Sequence, residues 1–456
     1  MRHNGVVTVT TASAPSLDAM LADLRRLVEV ESPSRDLEAL NTSARALAEV
    51  MGRVLGREPR IVDSPAGPHV HWTGGGEPRV LIVGHHDTVF PKGALAARPF
   101  TVADGRVTGP GVFDMKAGIV QAIHGVAALA DRSGVEILIT SDEEVGSVHS
   151  RDLIVERAKA CGAVLVLEPS ADGGALKTGR KGTGTFEVRV LGRASHAGLE
   201  PEKGVNSLVE AAAQVLRIAT FGDAARGTTV TPTVANAGTA DNVVPALTTV
   251  YVDVRVEHAD ERERVDRAMS NLVAEHPEAS IELRGGFNRP PMPTTASESL
   301  FPLALRAAAE VGIADLAGVA VGGGSDGNFT AAAGVPTLDG LGAVGGGAHA
   351  DHEWVDASTM PSRPPPRVTC ATNCRFSYTW GVAKATICRI LGRVRRVRGG
   401  CRRGCPFPAF PPPGTPPACS GCPRCPGSAS STARSDPAVR TPDPRRAPCS
   451  AARAHR

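Results

Sequence analysis

Residues 79–89 read RVLIVGHHDTV. The run Val80–Val83 is apolar without alternation, as in a strand covered on both faces rather than one with a wet side. It ends on two histidines and an aspartate. In an open α/β sheet the carboxyl ends of the strands carry the ligand site, so this stretch predicts both a fold class and a place for chemistry. Side chains alternate along an extended chain. His85 and Asp87 therefore share a face and His86 points the other way.

The same texture recurs outward from this point. SLDAMLADLRRLVEVES and LEALNTSARALAEVMGRVLG show helical apolar spacing, with Ser16 as an N-cap for the first. KAGIVQAIHGVAALA and SRDLIVERAKA read as helices that alternate with the strands VEILIT and AVLVLE. Apolar strands separated by helices predict an α/β fold with a mostly parallel sheet. After about Leu176 the pattern changes to strand, helix, strand, strand, helix, strand, closing at ASIELRGGF. That order is ferredoxin-like. The reading is a first catalytic part over 1–177, an inserted α+β domain over 178–289, and a second catalytic part over 290–362.

Charge separates the remainder. From Arg363 onward, 17 Arg and Lys384 face only Asp436 and Asp443, while the preceding residues hold 32 basic and 45 acidic side chains. An acidic body lacks the basic field that tracks phosphates, so no nucleic-acid partner is expected. Cys161 is the one thiol before the tail, no apolar leader opens the chain, and no 18-residue apolar run occurs. These features predict a soluble, cytoplasmic protein without a membrane partner. The tail over 363–456 is Pro-, Arg- and Cys-rich and reads as disordered or as the out-of-frame translation of a GC-rich gene. Within it, KATICRILGRVRRV has helical apolar spacing. Cys419, Cys422 and Cys425 are too irregularly placed for a zinc ribbon.

Five motifs place acids and histidines at strand ends: GHHDTV, GPGVFDMKAG, TSDEEVGS, VLEPS and GGGAHADHEWV. They supply His85, Asp114, Glu144, Glu168 and His349. Two imidazoles and three carboxylates are the inventory of a two-metal site with one bridging carboxylate.

In order and separation, these motifs resemble those of the co-catalytic zinc exopeptidases and deacylases, which include glutamate carboxypeptidases, aminoacylase, acetylornithine deacetylase and succinyl-diaminopimelate desuccinylase. DTVFPKGALAARPF and GGGSDGNFTAA lean toward the carboxypeptidase-G-type glutamate carboxypeptidases. The resemblance runs over about 17–362 and implies two Zn2+ per chain, with Co2+ or Mn2+ as substitutes. It implies His85 and Glu168 on one metal, Glu144 and His349 on the other, and Asp114 bridging both before a cis peptide. It also implies Asp87 as the orienter of His85 and Glu143 as general base. Its spacing sets the ligand four residues before a Glu, so Glu353 selects His349 over His352.

From the inserted domain the resemblance implies His196 of ASHAG reaching a partner's site in a homodimer. Asn242 of GTADNVVP and Arg255 of VDVRV would hold the substrate's carboxylate, with Arg289 of NRPPM as a further candidate. The implied activity is hydrolysis of an amide or peptide bond next to a free carboxylate. An N-acyl amino-acid deacylase using the same machinery is the alternative. A non-catalytic metal- or nucleic-acid-binding protein built on the basic tail is the reading from a different class. One departure stands out: proline-rich PPPRVTCATNC follows HEWVDASTMPSR, where the family continues into a terminal helix, so a face of the catalytic part is expected to lie uncovered.

Overall fold

The computed structural model of the chain describes residues 16–310, 312–313, 315–361, 386–387 and 390. A six-stranded sheet organises the catalytic part, in the order Arg60–Val62, His69–Thr73, Val135–Thr140, Val80–His85, Val164–Val166, Thr337–Leu338. The last four strands are mutually parallel and the first two antiparallel. Val80–His85 and Val135–Thr140 are buried along their whole length, as their unalternating sequence requires.

Helices Leu17–Val28, Leu37–Leu55 and Ala117–Ala127 contribute Leu24, Leu47 and Ile119 to one side's core. Helix Arg151–Cys161 packs Ile154 and Ala158 in a second apolar cluster with Leu81 and Val83. Ser16 does cap the first helix, its Oγ accepting from Ala19 N at 3.1 Å. Asp36 caps the second, which ends at Gly56 with φ +68°.

The segment that follows forms an antiparallel sheet ordered Thr229–Ala237, Leu247–Val256, Gly182–Leu191, Ser280–Arg289. Helices Ser207–Ala219 and Ala259–Ser270 complete the expected ferredoxin-like order. Phe186, Val188, Ile218, Val252 and Met269 form a core separate from that of the parallel sheet. No helix among the described residues is long and apolar enough to cross a membrane.

Most of the tail, with its cysteines and the question of its origin, lies outside the described residues. Thr386, Ile387 and Ile390 are helical, and they fall inside the one tail stretch with helical apolar spacing. Ile387 is fully buried in the same cluster as Leu24, Ile119 and Leu303, with Ile390 packed against that cluster. The core of the catalytic part thus draws Ile387 from beyond the proline run. Ile387→Ala is expected to cost about 2–5 kcal/mol in denaturant unfolding; an unchanged midpoint would place Ile387 outside the core.

Candidate metal centre

The site gathers where the parallel strands end. His85 closes its strand, Glu143 and Glu144 sit in the turn after Val135–Thr140, and Glu168 stands two residues past Val164–Val166. Asp114 lies in the loop before helix Ala117–Ala127, on the cis Asp114–Met115 peptide. His349 comes from the loop before strand Trp354–Asp356.

These side chains form two groups that share one residue. His85 Nε2 lies 3.3 Å from Asp114 Oδ1 and 3.7 Å from Glu168 Oε1. His349 Nε2 lies 3.4 Å from Asp114 Oδ2 and 3.1 Å from Glu144 Oε2. Each carboxylate oxygen of Asp114 faces a different histidine, and the two triads could each hold a cation.

The donor chemistry fits metal ions. His85 Nδ1 is 3.0 Å from the Asp87 carbonyl. A carbonyl only accepts, so Nδ1 carries a proton, and the neutral ring then turns its lone pair at Nε2 toward two carboxylates. His85 Nε2, Asp114 Oδ1 and Glu144 Oε1 are buried without a hydrogen-bond partner among the described residues. Acceptors turned toward acceptors in a buried site need a cation between them. Ligands at about 2.1 Å from a tetrahedral zinc stand roughly 3.4 Å apart, close to the spacings found. His349 takes a left-handed backbone with φ +62°, a strained conformation for a residue other than glycine.

A second layer fixes these groups. Fully buried Asp87 accepts from Ser34 Oγ at 2.8 Å and from the N–H of Glu143 and of Glu144, each at 3.2 Å, so it holds the turn as well as His85. His86 bonds Ser43 and the Pro68 carbonyl, away from the triads. Arg180 forms a bidentate pair with Asp339, and its Nη2 is 3.5 Å from Glu168 Oε2. His352 joins neither triad, and His124 pairs with Asp23 inside the core.

Glu353 served in the sequence only as a spacing marker. In the fold its carboxylate accepts from the N–H of Gly111 at 2.8 Å, Phe113 at 2.8 Å and Asp114 at 2.9 Å. It ties the His349 loop to the loop of Asp114. Its signal was the position four residues past His349, but the donors it meets lie about 240 residues away in the chain.

The structure brings Glu143 and Arg289 together, with Arg289 Nη2 donating to Glu143 Oε1 at 2.8 Å. Arg289 also lies 3.6 Å from Asp326, whose carboxylate accepts from Ser147 Oγ. Burial pushes the Glu143 carboxyl well above its ordinary range. Arg255 and Arg289 line a cleft of about 730 Å3 beside Glu144 and His349. His196 and Asn242 do not line it. They sit exposed at one end of the inserted sheet, joined by the bond from Ala197 N to Asn242 O.

Two outcomes follow for the centre. Glu353→Gln sets an amide N–H against main-chain donors, and chelator competition should show metal affinity weakened about 10- to 100-fold; unchanged affinity would deny Glu353 this role. Burial, and then the neighbouring Asp114 charge, push Glu168 up to about 7. Below that pH the carboxyl holds a proton that must leave before a cation binds. Hydrogen bonds to Asp114 and Glu144 raise His349 to about 10. Metal affinity should therefore rise from about pH 6 to about pH 10 as Glu168 and then His349 lose their protons, and a flat profile would contradict the arrangement.

Comparison with known proteins identifies the family of the chain. The Peptidase family M20/M25/M40 pattern matches residues 81–363. Carboxypeptidase G2 of a Pseudomonas species is 32% identical over 383 residues, covering 79% of this chain and 90% of that protein. Succinyl-diaminopimelate desuccinylase of Stenotrophomonas maltophilia is 29% identical over 318 residues, covering 64% of this chain and 82% of the relative. The crystal structure of an M20 family metallo-carboxypeptidase from Sulfolobus solfataricus shares the fold, with TM-score 0.63 and 15% identity over 81% of this chain and 98% of that one. The chain belongs to Peptidase family M20/M25/M40, and it is a metal-dependent hydrolase of that family.

Proposed function

We propose that this chain is a two-zinc hydrolase that cleaves an amide or peptide bond next to a free carboxylate, in the manner of a glutamate carboxypeptidase. The observation that carries the reading is Asp114, with one carboxylate oxygen toward each of two histidine–carboxylate pairs. His85 and Glu168 would hold one ion, Glu144 and His349 the other, and Asp114 both. Imidazole nitrogen and carboxylate oxygen suit zinc, with cobalt or manganese as substitutes. When bound, the ions supply Lewis acidity that polarises the scissile carbonyl and lowers the pKa of water toward neutrality.

The chain's own groups do the rest. Glu143 takes the proton of the attacking water and returns it to the departing amine. Burial raises its pKa well above the ordinary carboxyl range, which makes it a stronger base for that proton than an exposed glutamate. Asp87 keeps the Glu143–Glu144 turn and the His85 ring in register.

The inserted segment over 178–289 is proposed as a dimerisation and lid domain. Helix Ser207–Ala219 exposes Val209 and Leu216, seven residues apart on one face, and Thr229–Ala237 is an edge strand with Val234 half exposed. An apolar helix face beside an open edge suits two-fold pairing. His196 Nδ1 accepts from the N–H groups of Gly198 and Leu199, which leaves the proton on Nε2. That donor, with Asn242 nearby, would complete the other copy's site by stabilising the oxyanion.

The relationship to carboxypeptidase G2 favours a peptidase over a deacylase, and a panel of peptidyl and N-acyl amino acids separates the two. Metal analysis should give about two zinc equivalents per chain. Glu143→Ala should lower turnover by at least about 10²- to 10⁴-fold with the metal content unchanged. Full activity in that variant overturns the mechanism.

A further inference from the structure

Four arginines line the cleft beside Glu144 and His349: Arg35, Arg151, Arg255 and Arg289. Three are already engaged. Arg255 grips Asp253 with Nε–Oδ1 at 2.9 Å and Nη2–Oδ2 at 2.8 Å. Arg289 Nη2 donates to Glu143 Oε1 and to Ser147 Oγ. Arg151 lies over the Phe329 ring, 4.6 Å from its centroid. Among the described residues, Arg35 has no hydrogen-bond, ion-pair or ring partner, although it is exposed toward a site built from carboxylates.

The backbone presents Arg35 from a fixed point. Its φ is +73°, a left-handed conformation that glycine adopts freely and a side chain with a Cβ does not. The residues on either side hold it there. Ser34 donates from N to the Thr88 carbonyl at 3.1 Å and from Oγ to Asp87 Oδ2 at 2.8 Å. Asp36 accepts from Ala39 N at 3.0 Å as the cap of helix Leu37–Leu55. Arg35 thus stands between a helix cap and the carboxylate that orders the Glu143–Glu144 turn. Pre-placement of the main chain lowers the ordering cost of binding, and a guanidinium matches a carboxylate in shape and charge.

We infer that Arg35 is a specificity-determining residue that receives a carboxylate of the substrate, in the cleft that Arg255 and the inserted sheet also line. The inference rests on the hydrolase reading above and names a carboxylate anchor that is not already paired among the described residues. That carboxylate is either the free α-carboxylate of the released amino acid or an acidic side chain.

The test compares zinc-loaded parent, Arg35→Gly and Arg35→Lys on N-acyl-glutamate and N-acyl-glutamine. Glycine suits the left-handed backbone, so Arg35→Gly should keep its zinc content and thermal midpoint. KM should rise roughly 10- to 100-fold with little change in kcat, and Arg35→Lys should recover part of the loss. A loss on both substrates assigns the α-carboxylate, and a loss on the glutamate substrate alone assigns the side chain. Equal KM values for parent and Arg35→Gly on both substrates overturn the inference. Calorimetric binding of free glutamate to the same zinc-loaded proteins separates the two readings. If the parent hydrolyses nothing but loses glutamate affinity on Arg35→Gly, the hydrolase reading fails and the anchor stands; if affinity is also unchanged, the anchor fails as well.

Discussion

The structure depends on keeping several acids together in a buried place. Asp114, Glu144 and Glu168 point their oxygens at His85 Nε2 and His349 Nε2. Without cations such a cluster is costly, because charge removed from water must be compensated locally. Much of the surrounding architecture supplies fixed partners for the acids that do not point inward. Asp87 is held by Ser34 Oγ and two main-chain N–H groups, Glu353 by three N–H groups, and Asp339 by Arg180. Each of these is fully satisfied, which leaves the lone pairs of the central carboxylates free for metal.

This arrangement explains the choice of fold as a platform. Parallel strands deliver their carboxyl ends to one edge of the sheet, so residues distant in the chain converge without long loops. Rigid strands set the positions of His85, Glu144 and Glu168 through main-chain pairing, and the loops of Asp114 and His349 are then tied to each other by Glu353. The inserted sheet keeps its own core and brings Arg255 and Arg289 to the cleft. Arg289 holds Glu143 beside the candidate ligands, so the inserted segment reaches the candidate site through a buried ion pair.

The candidate ligands were readable because each lies in a short motif at the end of an apolar run, where few structural roles compete. The period of two also separated His85 from His86 correctly: one faces the acids, the other Ser43 and Pro68. Glu353 was visible only as a spacing mark, since nothing local reveals which main-chain donors it meets. Arg289 was read as a substrate anchor, and its pairing with Glu143 across 146 positions has no local signature. Arg35 carried no signal at all, because a left-handed φ at a non-glycine residue cannot be read from side-chain type.

What the sequence determined by itself was the set of elements, the alternation that fixes a mostly parallel sheet, the ferredoxin-like insertion, and the identity of the five candidate ligands. All of these rest on local periodicity and short motifs, which act over a few residues. The tertiary structure alone decided which oxygen of Asp114 faces which histidine, which arginines of the cleft are already paired, and that Ile387 joins a core built some hundreds of residues earlier. Those outcomes depend on packing and charge between segments far apart in the chain, and distance in space is the one quantity that local pattern does not encode.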